Sequence, residues 1–150
     1  MTDSTGTTTR TYDELDRVLT KQVPDFGIMN FLYDITSGIE PGCVGEKSTD
    51  SKGNVTLKVY DKAGRLYRVT ADGGTTTYSY YPTGSRESVT YPNGAKEKYT
   101  YYADGLLKEL KNIKSGGSTM DDYTYTYDAA HNQITKHELV SGIDKGTTRY

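Results

Sequence analysis

Two overlapping stretches decide the fold. Lys58–Tyr81 reads KVYDKAGRLYRVTADGGTTTYSYY, and Tyr78–Tyr102 reads YSYYPTGSRESVTYPNGAKEKYTYY. Each carries a tyrosine pair or Tyr-Asp, then two residues, a glycine, a Val-Thr and a second glycine. Outward from this core the glycines Gly42, Gly53, Gly64, Gly74, Gly84, Gly94, Gly105 and Gly116 keep a beat of ten or eleven residues. That spacing is too short for a helical hairpin and fits one strand plus one tight turn. Tyr60-Asp61, Tyr80-Tyr81 and Tyr101-Tyr102 recur at about twice the interval, so the repeating unit is a β-hairpin.

Looser copies flank the core. YTYYADGLLKELKN keeps the tyrosines and Gly105, YTYDAAHNQITKHEL replaces the glycine with His131-Asn132, and RTYDELDRVLTK has Asp16 at that place. Asn and Asp are the non-glycine residues best suited to positive φ, so Asp16 and Asn132 are expected to serve as turn residues. A copy beginning at Tyr33-Asp34 is interrupted by an insertion near residues 35–50. The expected organisation is one array of about six hairpin repeats over residues 1–150, cut from a larger protein.

Composition agrees with sheets and argues against a thick core. Leu, Ile, Val and Phe together number 25, below the share of about 20% that marks ordinary folded domains, while 15 Tyr and 23 Thr supply strand-forming bulk. A net charge of −2 with scattered Lys and Arg gives no field for nucleic acid. No apolar run has the length of a membrane-spanning helix, and residues 1–10 lack the pattern of a signal peptide. Cys43 stands alone, so no internal disulfide is available.

Short connections force successive strands antiparallel, giving an all-β meander. Asn93-Gly94 predicts a type I′ turn; Asp72-Gly73-Gly74 and Asp104-Gly105 are further turn signals. LLKELKN (106–112) has a partly helical pattern, but its place in the repeat predicts a strand. The i, i+2 spacing of Tyr78 and Tyr80, of Tyr99 and Tyr101, and of Tyr123, Tyr125 and Tyr127 puts each set on one face. Strands bearing them are separated by a return strand, whose Leu66, Arg86, Val89 or Leu107 would fill the gap between rings. A sheet of so many strands is expected to curl as twist accumulates.

At YDKAGRLYRVTADGG and TYSYYPTGSRESVTYPNG the sequence resembles the YD repeat of the RHS (rearrangement hotspot) proteins, close to YD-x-x-GRL-x-x-VT-x-x-x-G. The match is closest from Lys58 to Gly105, looser at Arg10–Lys21 and Tyr123–Glu138, and interrupted from Ile35 to Asp50. By that resemblance the repeat residues are Tyr12, Asp13, Tyr33, Asp34, Tyr60, Asp61, Gly64, Arg65, Tyr80, Tyr81, Gly84, Tyr101, Tyr102, Gly105, Tyr127 and Asp128. It implies a spiral strip of hairpins that encloses a hollow shell, as in bacterial polymorphic toxins, insecticidal toxin complexes and animal teneurins. It also implies a secreted or cell-surface protein, most naturally of a bacterial envelope, with flanking repeats and an enclosed toxin domain as partners. The Asp-Pro-rich core that closes the shell in bacterial members is absent from these residues, so neither self-cleavage nor cargo carries over.

Catalytic and metal chemistry is weakly represented. His131 and His137 would sit about 20 Å apart on a strand, too far for one metal ion. Asp121-Asp122 and Asp128 read as turn and solvating residues, since a recurring Asp is structural and enzymes do not need many identical sites. Asp50–Asn54 (DSKGN) lacks the spaced ligands of a calcium loop, and Asn54-Val55-Thr56 is a glycosylation sequon that fits a chance match. The chain is therefore read as non-enzymatic, with neither cofactor nor metal. An alternative function stays open: Tyr78, Tyr80, Tyr99 and Tyr101 as a glycan-binding aromatic face. Unpaired strand edges would further favour self-association of the segment.

Overall fold

The structure, a computed structural model, describes residues 2, 3 and 6–150. Strands β1 (Thr2–Asp3) and β2 (Gly6–Thr7) pair with each other in a small sheet. Thirteen more follow: β3 (Thr9–Tyr12), β4 (Val18–Val23), β5 (Gly27–Ile35), β6 (Val44–Thr49), β7 (Val55–Tyr60) and β8 (Leu66–Ala71), then β9 (Gly74–Tyr80), β10 (Arg86–Thr90), β11 (Lys96–Tyr101), β12 (Leu107–Ile113), β13 (Thr119–Tyr127), β14 (Gln133–Val140) and β15 (Ile143–Arg149). They lie in chain order in one open antiparallel meander with β3 and β15 as its outer members, and no helix occurs among the described residues. The LLKELKN stretch is the strand β12, as its place in the repeat predicts.

Two compact units divide the chain, one up to Thr75 and one over Thr76–Tyr150. In the first, Val59 on β7 is fully buried, with Gly45 of β6 and Arg68 of β8 as its register partners. Gly45 is buried too, and a Cβ there would stand 3.2 Å from Cβ of Ile35 and 3.5 Å from Cδ1 of Leu57. Its missing side chain leaves room at that point of β6 for Ile35 of β5 and Leu57 of β7. In the second unit Val89 of β10, 3% exposed, lies between Tyr78 of β9 and Glu97 of β11. These two valines are the buried hydrophobic side chains among the described residues, so the apolar layer is thin. Backbone pairing carries a large share of the order, and half-buried tyrosines and threonines do the packing.

Most reversals share one hydrogen-bond scheme. At Asp61 the N–H donates to the Arg65 carbonyl (2.8 Å), while the Gly64 N–H donates to the Asp61 carbonyl (2.9 Å). The same pair of bonds closes the loops starting at Asp13, Asp50, Tyr81, Tyr91, Tyr102, Lys114 and Asp128. The fourth residue of each has positive φ: Asp16, Gly53, Gly64, Gly84, Gly94, Gly105, Gly117 and His131. This is a type I turn followed by a left-handed residue, the usual three-residue hairpin loop.

Four expectations change in detail. Asn93-Gly94 does not form a type I′ turn, because only Gly94 has positive φ (81°); Tyr91 opens a three-residue loop instead. The left-handed positions fall on Gly73 and Gly117, and their neighbours Gly74 and Gly116 keep ordinary φ. Type I′ geometry occurs at Asp72-Gly73 (φ 50° and 75°) and at Ser141-Gly142 (52° and 78°). In the last YD copy His131 (φ 67°), not Asn132, takes the glycine's place, since Asn132 closes the loop onto Asp128. Asp16 at φ 59° conforms to expectation.

Candidate functional site

The Asp of the Tyr-Asp pair works inside its own loop. One Asp61 carboxylate oxygen accepts from the backbone N–H groups of Ala63 and Arg65 (2.9 Å each), and the other from Arg65 Nε (2.8 Å). Asp13 repeats this with Leu15 and Arg17; Asp50 and Asp128 do so with Asn54 and Asn132, whose side-chain amides replace the guanidinium. These bonds favour the charged carboxylate, so all four acids are held below their ordinary value of 3.8. The dominant cause is the Arg65 side chain for Asp61, the Asn54 and Asn132 side chains for Asp50 and Asp128, and the Arg17 backbone N–H for Asp13. Asp50 therefore spends its carboxylate on its own turn, and the Asn54 amide nitrogen donates to it at 2.8 Å.

Where tyrosine replaces that aspartate, the side chain reaches sideways. The Tyr81 hydroxyl donates to the carbonyl of Tyr99 on β11 (3.0 Å), and the Tyr102 hydroxyl to that of Tyr125 on β13 (2.9 Å). Tyr127 returns the gesture to the Leu107 carbonyl (3.0 Å), and edge-to-face contacts with ring centroids 6.2 Å apart join Tyr81 to Tyr101 and Tyr102 to Tyr127. One position thus serves two purposes: Asp clamps its own turn and Tyr latches the next hairpin. Tyr33-Asp34 lies within β5 and not at a reversal, with Asp34 at φ 56°; the Tyr33 hydroxyl donates to the Val18 carbonyl, and Asp34 pairs with Arg17 at 2.7 Å.

Within the second unit the two faces differ. Tyr78, Tyr80, Tyr99, Tyr101, Tyr123, Tyr125 and Tyr127 fall on one face by register, and cations fill between them. Arg86 lies over the Tyr78 ring at 5.4 Å and Lys136 over that of Tyr123 at 5.0 Å. Leu110 stands between Tyr99 and Tyr123, a filler the sequence reading missed, while Leu107 is beside Tyr101. Glu97 accepts from both Tyr91 (2.6 Å) and Tyr99, and burial together with that carboxylate pushes the Tyr99 phenol up to about 12. The opposite face is hydroxylic and charged, with Ser79–Ser88 at 2.7 Å, Thr126–Thr135 at 2.6 Å and Lys111 between Glu109 and Asp122.

His131 faces Asp104 at 3.8 Å and His137 faces Asp144 at 3.1 Å, in separate places, and no group of three potential metal ligands occurs among the described residues. Asp121 accepts from the Ser141 N–H at 3.0 Å, and Asp122 pairs with Lys111 at 3.4 Å. No helix of the described residues is long and apolar enough to cross a membrane.

No protein-family model matches the sequence, and no curated protein does. Solved structures do. One similar structure is TcdB2-TccC3 without its hypervariable C-terminal region, with 21% identity, a TM-score of 0.67, and 87% of this chain covered. The fold is that of a stretch of these toxin chains. TcdB2-TccC3-TEV matches over 83% with 16% identity and a TM-score of 0.54. The pore of the Photorhabdus luminescens Tc holotoxin, carrying a TccC3 point mutation, matches over 83% with 19% identity and a TM-score of 0.60. The chain spans only 7 or 8% of the length of those chains. The likeness concerns fold, and it agrees with the YD-repeat resemblance carried by Lys58–Gly105.

Proposed function

We propose that this chain is a non-catalytic wall segment of a larger secreted or cell-surface repeat protein, in which it forms part of a β-shell around a toxin or effector domain. The observation that carries the reading is the latch between hairpins. Tyr81 and Tyr102 spend their hydroxyls on main-chain carbonyls two strands away, so the residues that vary between repeats serve continuity of the sheet. The fold shared with TcdB2-TccC3 supports the same reading. The partners are flanking repeats on either side and an enclosed domain behind the wall. The site of action is outside a bacterial cell or on its envelope.

Cryo-electron microscopy of the whole parent protein tests this. A strip closed around a cavity that holds further polypeptide density is expected; a solid particle, or a strip open to solvent on both faces, refutes it.

A further inference from the structure

A groove of about 410 Å³ lies beside the loops that open at Tyr81 and Tyr102, walled by Tyr81, Pro82, Tyr101 and Tyr102, with Thr83 and Thr100 also lining it. No charged side chain lines it, in contrast to the grooves bordered by Glu46, Lys47 and Lys58 or by Asp104 and Asp128. The Tyr81 and Tyr102 hydroxyls are committed to main-chain carbonyls. Those of Tyr101 and Thr83 make no hydrogen bond to another described residue, leaving two neutral hydroxyls against an aromatic and prolyl wall, while Thr100, next to Tyr101 on β11, turns its side chain to the other face.

We infer that this groove binds a neutral pyranose unit. A sugar ring offers a C–H face to stack on the tyrosine rings and hydroxyls to exchange hydrogen bonds with Tyr101 and Thr83. The lining residues offer a charged ligand no counter-ion, and a purely apolar ligand would leave the hydroxyls unpaired. The volume lies within the range of small-ligand sites, about 300–1,000 Å³. This places sugar contact at the turn end of the tyrosine face; Tyr78, already under Arg86, and Tyr99, bonded to Glu97, are not its centre. The inference is independent of the enclosed domain and goes beyond the wall reading.

Saturation-transfer NMR on the full chain tests it, with cellobiose and N,N′-diacetylchitobiose as neutral probes and glucuronic acid as the charged one. A dissociation constant of about 1 mM is expected for at least one neutral probe, from the ligand efficiency of a small binder. Tyr101→Phe keeps the ring and its edge-to-face partner and should weaken binding about fivefold by loss of one hydrogen bond. Thr83→Val gives a second variant in an exposed loop, and circular dichroism verifies that both retain the sheet. No saturation by either neutral probe at about twenty times that concentration, equal binding by glucuronic acid, or unchanged affinity in both folded variants overturns the inference.

Discussion

Gly116 and Gly117 are adjacent, both with open space where a Cβ would stand, yet only Gly117 is left-handed, at φ +86°. Alanine at either site restricts the unfolded chain and stabilises by about 0.4–1 kcal/mol through that effect alone. At Gly117 an L-residue also pays the left-handed penalty of about 1–2 kcal/mol. The unfolded-state gain cancels in the difference, so Gly117→Ala should be less stable than Gly116→Ala by about 1–2 kcal/mol. For a chain of this size that is a gap of roughly 2–8 °C in melting temperature. Urea and thermal unfolding, followed by circular dichroism and tyrosine fluorescence, measure both variants against the parent. Gly117→Asn should recover part of the loss, since Asn tolerates this conformation best after glycine. Equal midpoints, or a larger loss at Gly116, would refute the turn geometry and move the left-handed residue to where the ten-residue beat places it.

The four loop carboxylates give stability a defined acid dependence. Their folded pKa values lie below 3.8, so the unfolded chain binds more protons as pH falls through that region. Their contribution is complete above the ordinary carboxylate range and disappears below it; stability measured from pH 6 to 2 should fall at the acid end, with a shallower fall in Asp61→Asn. Tyr99 acts at the other extreme: its folded value of about 12 exceeds the ordinary 10.0, so its contribution is lost as pH rises between the two, and Glu97→Gln should bring its ultraviolet titration part of the way back. Tyr102→Phe should destabilise by about 1 kcal/mol through loss of the bond to the Tyr125 carbonyl, measured by urea unfolding; no change would mean that water replaces the latch at no cost. Finally, β3 and β15 are outer strands with one neighbour each, and β15 is exposed along its length, so light scattering of the isolated chain should show association that grows with concentration.

The strand order, the antiparallel sense and the tyrosine face follow from spacing alone, because a short loop after each strand leaves no other connection and a period of two leaves no other face. Which glycine of a pair turns left was not legible. Gly73-Gly74 and Gly116-Gly117 both offer two residues free of a Cβ, and the choice is made by closure of the loop bond, as from the Gly117 N–H to the Lys114 carbonyl. His131 escaped for a related reason: its neighbour Asn132 has the better intrinsic preference but is held by Asp128. The sugar-sized groove was the least visible feature. Tyr81 and Tyr102 stand at the aspartate's position in the repeat, and only the register between hairpins reveals that the substitution turns the side chain toward the next hairpin.

Val59 and Val89 are the two buried hydrophobic side chains among the described residues, and that scarcity governs how the molecule fails. Gly45 apart, a substitution elsewhere on the strands meets solvent or a pliable ring, not a close-packed interior, so its damage stays within its own hairpin. The intolerant positions are the punctuation marks, where a wrong backbone angle shifts the pairing of everything downstream. Such a chain can shed most of its sequence identity in evolution while its geometry persists, as woven cloth keeps its weave when the dye changes.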